Sequence, residues 1–286
     1  MNLMKYKFFY FIFSLAIILP GSYFLLTSGL KLGIDFTGGT LLEYRFEKSV
    51  PIDELKKYGQ VAPTGSDTYI IKSQLKNQEE VVSITSKLEE KFGKIETRRQ
   101  ESVGPTIGKE LSQKAIYGLA LASLAIVAYI AFSFKNCPKP ASSWRFGISA
   151  IAALLHDVLL VVGIFAILGK FLQVEVDSLF VTALLTVIGF SVHDTIVVFD
   201  RIRENLLKNI GRKFTDVANI SVVQTLGRSL NTSLTVVFVL LALLLFGGET
   251  IKWFVVALLV GIISGTYSSI FNATALLVWW EEKLGH

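Results

Sequence analysis

The chain has 286 residues, a formal net charge of +5, 52% hydrophobic residues and 18% charged ones. That apolar share lies above, and the charged share below, those of a soluble domain of this length, which excludes a single soluble globule and a disordered chain. One cysteine, Cys137, cannot form an internal disulfide, so a disulfide-stapled secreted fold is excluded too.

In chain order, the first element is an apolar run, Phe8–Ser28, preceded by Lys5 and Lys7. It is longer than a signal-peptide core and no small-x-small site precedes residue 29, so it reads as an uncleaved membrane anchor over residues 1–28. Residues 29–114 follow as a mixed domain holding 14 of the 28 Lys and Arg. Thr40–Glu47 alternates as a strand, Pro51–Tyr58 opens with Pro and acids as a helix does, and Thr68–Ser73 is a strand. Gln78–Phe92 carries Val81, Val82, Ile84, Leu88 and Phe92 at helical spacing and stops at Gly93, and Lys94–Val103 is a last strand. The order β-α-β-α-β, with room for a strand before residue 40, predicts a small ferredoxin-like α+β domain. Two glycine-bearing segments, Gly33–Thr40 and Ser102–Gly108, flank it; Gly38, Gly39, Gly104 and Pro105 read as joints between domain and membrane.

Residues 115–286 then hold five more stretches of spanning length: Ala115–Phe134, Gly147–Leu168, Ser178–Phe199, Leu230–Phe246 and Ile251–Trp280. The fold class expected is therefore an α-helical membrane protein of six transmembrane helices, with the α+β domain between the first and second. Lys and Arg concentrate in the segments 135–146 (Lys135, Lys139, Arg145) and 200–229 (Arg201, Arg203, Lys208, Arg212, Lys213, Arg228), while 169–177 and 247–250 carry only Lys170. The positive-inside rule puts both termini and the basic 200–229 loop in the cytoplasm and the 29–114 domain outside. The apolar face of Asn205–Arg228 suits a helix lying on the membrane. The basic residues form no single patch, so no nucleic-acid partner is expected; membrane lipids are.

The informative residues lie inside the spans. His156-Asp157 falls in the third and His193-Asp194 in the fourth. An Asp at mid-span opposes insertion by about 2.5–3.5 kcal/mol, which the 13 Leu, Ile, Phe and Val of Ser178–Phe199 more than offset at roughly −0.3 to −0.6 kcal/mol each. Intramembrane carboxylates commonly mark ion or proton paths; the other reading is that Asp157 and Asp194 join helices by hydrogen bonds. Asp194 lies about five residues before the end of its span, roughly 8 Å from the interface at 1.5 Å per residue, and Arg228 at the start of the fifth span can reach inward to that depth as a candidate partner. Thr232 shares the face of Arg228, and Thr195 flanks Asp194. A charged Asp194 would pair with Arg228 and a protonated one would release it. His156 and His193 read either as proton relays or as interhelical hydrogen-bonding groups. Gly261-x-x-x-Gly265 is a close-packing pattern. The 29–114 domain carries no nucleophile–base pair, metal-spaced His or Cys, or phosphate loop, and neither enzymatic chemistry nor a metal or other cofactor is expected of the chain.

Taken together, Gly33–Thr40 (GIDFTGGT), Ser102–Gly108 (SVGPTIG), His156-Asp157, Val192–Asn205 (VHDTIVVFDRIREN) and Gln224–Leu230 (QTLGRSL) resemble the SecF side of the SecD/SecF protein-export family, in the resistance–nodulation–division superfamily. The resemblance covers nearly the whole chain in matching order. It implies a bacterial plasma-membrane subunit that pairs with SecD, assists the SecYEG channel, and uses the proton-motive force to draw unfolded polypeptides outward. It also implies that Asp194 and Arg228 take part in proton movement, with the other carboxylate supplied by SecD. Protonation of Asp194 would shift the bundle and move the outer domain through its joints. Two other readings remain: a non-transporting membrane scaffold, and a small-molecule or lipid exporter of the same superfamily.

Overall fold

The computed structural model describes residues 2–65, 67–74, 78–135 and 142–284; Cys137 and Lys139 lie outside them. The chain divides into two compact units. One comprises Met1–Lys31, Gly118–Val174 and Leu179–His286; the other Leu32–Tyr117 with Glu175–Ser178.

The second unit is built on a four-stranded sheet. Its strands are β1 (Gly39–Phe46), β2 (Gln60–Pro63), β3 (Thr68–Ser73) and β4 (Ile95–Val103), in the spatial order β2-β3-β1-β4, and every neighbouring pair is antiparallel. Between β1 and β2 lie the single turn α3 (Ile52–Leu55) and a 3-10 turn, and between β3 and β4 lies α4 (Gln78–Phe92). The order β-α-β-β-α-β is the split βαβ of a ferredoxin-like fold. The additional strand is β2, not a strand before residue 40. That earlier position holds instead the short helix α2 (Ile34–Thr37). β2 escaped the sequence reading because it is an edge strand of four largely exposed residues ending in Pro63, with no alternation to detect.

Period two along β1 turns Leu42, Tyr44 and Phe46 to one face. They meet Tyr69 and Ile71 of β3 and Val81 and Leu88 of α4 in one buried cluster. The Tyr44 hydroxyl is satisfied at 2.6 Å by Thr85, one turn after Val81. Each fully buried Leu or Phe here contributes about 1.5–3 kcal/mol.

The first unit is helical. α1 (Lys7–Ser28), α5 (Pro105–Ser133), α6 (Ser143–Leu172), α7 (Ser178–Lys208), α8 (Phe214–Phe246) and the last span, α9 (Glu249–Tyr267) continuing through a π segment (Ser268–Ala273) into α10 (Thr274–Lys283), are long and apolar enough to cross a bilayer. α5 opens ten residues before the apolar run, at Pro105, which suits a first helical position.

The basic stretch 200–229 is not a loop. α7 runs on to Lys208 and α8 begins at Phe214, leaving only residues 209–213 as connection. One side of the segment packs inward: Phe214, Val217, Ala218, Ser221, Val222 and Thr225 are buried within the bundle, while Ile220 and Leu226 are half-buried and Val223 is exposed.

Apolar side chains gain little by leaving lipid for one another, so close approach of small residues carries the bundle. A Cβ on Gly21 of α1 would sit 2.8 Å from the Gly163 Cα of α6. One on Gly261 of α9 would sit 2.1 Å from a Val187 methyl of α7. The pattern Gly261-x-x-x-Gly265 is thus the contact face of α9 with α7.

Candidate functional site: two buried carboxylates

The close α7–α9 crossing creates the site. Because Gly265 carries no side chain, the Ser191 Cβ of α7 approaches where a Cβ of Gly265 would stand, at 3.0 Å. Along α9, Ser264 and Ser268 share that face, and the π segment turns Ser268, Ser269 and Asn272 all inward. Wide turns of this kind re-aim side chains at functional sites.

Asp157, on α6, is 1% exposed. Its Oδ1 accepts the Ser264 hydroxyl at 2.8 Å, and its Oδ2 accepts those of Ser191 at 2.5 Å and Ser268 at 2.6 Å. His156 Nδ1 lies 3.0 Å from Oδ1. His156 Nε2 faces the Asn272 amide nitrogen at 3.1 Å, and the same nitrogen donates to Ser14 Oγ of α1 at 2.7 Å. The amide donates, so Nε2 accepts and the proton is assigned to Nδ1, directed at Asp157. The carboxylate is therefore satisfied from three sides, and His156 forms part of its cage.

Asp194, on α7 one turn after Ser191, is equally buried at 2% exposed, but its surroundings differ. Its Oδ2 makes no hydrogen bond among the described residues. The hydroxyls of Ser233 (α8) and Thr266 (α9) face the group and bond each other at 2.6 Å. His193 Nδ1 stands 3.8 Å from Oδ1 on a side chain 61% exposed, so His193 lies at the rim, unlike His156.

Arg228 is exposed on α8 and forms no ion pair with Asp194 among the described residues; it reaches the carboxylate only through space. It lines a groove of about 460 Å³ between α7 and α8, with Ile196, Val197, Asp200, Arg201, Glu204, Gln224 and Thr225. The other charges there are paired: Arg203 with Asp200 at 2.6 Å, Arg201 with Glu204 at 2.5 Å. Thr232 donates to the Arg228 carbonyl of its own helix at 3.0 Å, and Thr195 ties α7 to the π segment through Ser269 at 2.8 Å.

The glycine segments read as separate joints meet one another. A Cβ on Gly38 would lie 3.0 Å from Pro105, and one on Gly108 would lie 3.0 Å from the Gly38 nitrogen. Gly38 and Gly39 take positive φ of 77° and 140°, conformations that require glycine. Gly104 has neither a positive φ nor a close neighbour.

The described residues hold no cluster of three or more His, Cys, Asp or Glu placed to bind a metal. Sequence reasoning did not find Ser264, Ser268, Ser269, Asn272, Ser233, Thr266 or Ser14. A signal existed: Gly261, Ser264, Gly265, Ser268 and Asn272 recur at three- and four-residue intervals, a small-and-polar stripe in an otherwise apolar span.

The family described as protein export membrane protein SecD/SecF, C-terminal, matches residues 83–283, and the SecD/SecF GG motif matches residues 23–50. The chain belongs to the SecD/SecF family. It is 51% identical to the protein translocase subunit SecF of Thermobaculum terrenum, over 99% of this chain and 94% of that one. It is 43% identical to the SecF subunit of Anaerolinea thermophila over the same shares. It matches the protein translocase subunit SecDF of Bacillus subtilis at 35% identity, over 96% of this chain and 37% of that one. The crystal structure of SecDF from Thermus thermophilus, a translocon-associated membrane protein, superposes with a TM-score of 0.86 at 32% identity, covering 99% of this chain; a SecDF structure in a super-membrane-facing form gives 0.74. The chain spans 39% of each of those two SecDF chains. With six apolar helices and SecF relatives, it is a multi-pass bacterial membrane protein.

Proposed function

We propose that the chain is the SecF half of a proton-driven protein-export complex, pairing with a SecD subunit and assisting the SecYEG channel. Fusion of both halves in SecDF relatives supports the pairing. Both termini and residues 209–213 face the cytoplasm, and the sheet-bearing unit lies outside, in keeping with the positive-inside rule.

The observation carrying the mechanism is the contrast between the carboxylates. Asp157 has every oxygen occupied by donors, whereas Asp194 keeps one buried oxygen free. Asp194 is the group with room to gain and lose a proton. Ionised, it draws Arg228 across the α7–α8 groove; protonated, it releases it. The unpaired arrangement corresponds to the released state. Asp157 and His156 act as a fixed polar tie, and His193 at the rim lies nearest the lipid or the partner subunit. One charge crossing 100 mV is worth about 2.3 kcal/mol, enough to bias a two-state element by roughly fiftyfold.

The test is export driven by a pH gradient in vesicles carrying the chain with SecD and SecYEG. Asp194→Asn should abolish the gradient-dependent component while assembly is intact. Undiminished export in this variant would leave the chain a scaffold, with the proton path in the partner.

A further inference from the structure

The start of α7 is held by the sheet-bearing unit. Residues Glu175–Ser178 belong to that unit, although α7 itself continues into the helical one. Their ties come from two segments distant in sequence. Gly33 N–H donates to the Val176 carbonyl at 2.8 Å, and Leu32 and Val176 form an isolated parallel bridge. Lys72 of β3 pairs with Glu175 at 3.0 Å. Asp35 Oδ2 accepts both the backbone N–H of Ser178, at 2.9 Å, and its hydroxyl, at 2.5 Å.

Ser178 is the first residue of α7, so Asp35 supplies the anionic acceptor that an exposed helix N-terminus favours. The residue preceding the helix is Asp177, and Asp35 adds a second acidic group at this end from 143 residues away. Asp35 lies in α2, which runs through Gly38 and Gly39 directly into β1, a central strand. At the other end of the linkage, α7 carries Asp194 sixteen residues on, about 24 Å along the axis.

We propose that Asp35 is a positioning residue that couples α7 to the sheet, so that a proton-driven shift of α7 is handed to β1. The inference rests on the reading of Asp194 above. Without the cap, α7 would still move on protonation, but the sheet, left with the Gly33–Val176 and Lys72–Glu175 ties, would follow less fully.

Proteoliposomes holding the chain with SecD and SecYEG allow proton flux and gradient-driven export to be measured in parallel. In Asp35→Ala, flux should stay near the wild-type rate while export falls about five- to tenfold, the factor matching a lost helix cap. Asp35→Asn keeps an acceptor oxygen and should restore export. The charge-swapped pair Lys72→Glu with Glu175→Lys should export better than either single variant. Wild-type export in Asp35→Ala overturns the inference. So does an equal fall of flux and export in Asp35→Ala, or a failure of Asp35→Asn to rescue. Asp194→Asn is the reference: if it keeps both flux and export, the proton reading has failed and not the coupling.

Discussion

Asp157 and Asp194 occupy the same bundle core, each follows a histidine, and each is almost wholly buried. Their oxygens meet different surroundings, and on the proposed mechanism that difference separates the structural carboxylate from the one that moves the proton. Removing the Asp157 carboxylate strands the hydroxyls of Ser191 and Ser264, at about 1–3 kcal/mol for each buried group left unpaired, while Ser268 keeps the Gly265 carbonyl at 3.2 Å. Asp157→Ala should therefore lower the melting temperature of the purified protein in detergent, whereas Asp194→Asn should leave it near the wild-type value. A melting temperature unchanged by Asp157→Ala would remove its structural role. The sequence favoured Asp194 over Asp157 only through its candidate partner Arg228, and showed nothing of the groups that surround either carboxylate. Leu-Leu-His-Asp-Val-Leu-Leu-Val and Ser-Val-His-Asp-Thr-Ile-Val-Val look alike, and two of the three serines that decide the matter arrive from 107 and 111 residues away. The Asp194–Arg228 pairing was legible as shared depth only; whether the groups touch depends on the α7–α8 groove.

Among the elements, the α7–α9 crossing is the most exacting. A methyl on Gly261 collides with Val187, and overpacking of this kind destabilises by about 1–3 kcal/mol. Gly261→Ala should lower thermal stability, and Gly261→Ala with Val187→Ala should recover much of it; equal losses in both would mean the clash is relieved elsewhere. In the sheet-bearing unit, hydrogen bonds from Lys91 and then Lys57 hold the Glu54 carboxyl below its usual range. A depressed folded value means the tie is present above the ordinary carboxylate range and is lost as pH falls through the lowered value. Lys91→Met should raise the titration midpoint of Glu54 in an NMR experiment, and an unmoved midpoint would refute the assignment. Long periodic segments such as α4 were readable residue by residue. β2 and the π segment were not, since four exposed edge residues carry no period and a widened turn leaves the composition unchanged.

At the scale of the molecule, six spans and a split βαβ unit form a chain similar to SecF subunits over nearly its full length and to about two-fifths of SecDF. The spans were legible because an apolar run of bilayer length has few other uses in so uncharged a chain. Their true ends were not, because helices extend past the apolar core, as α5 does to Pro105 and α7 to Lys208. The orientation can be tested directly. In a Cys137→Ser background, a cysteine at Lys48 should react with an impermeant thiol reagent added outside intact cells, and one at Arg212 only after permeabilisation. The reverse pattern would invert the proposed direction of proton movement.

On the proposed mechanism Asp194, and not Asp157, exchanges the proton. Infrared difference spectroscopy of the reconstituted complex across a pH step reads the carboxylic acid stretch of whichever group is protonated. The band assigned to this chain should disappear in Asp194→Asn and persist in Asp157→Asn. A band that survives Asp194→Asn and vanishes in Asp157→Asn would put the exchanging proton on Asp157 instead and overturn the mechanism.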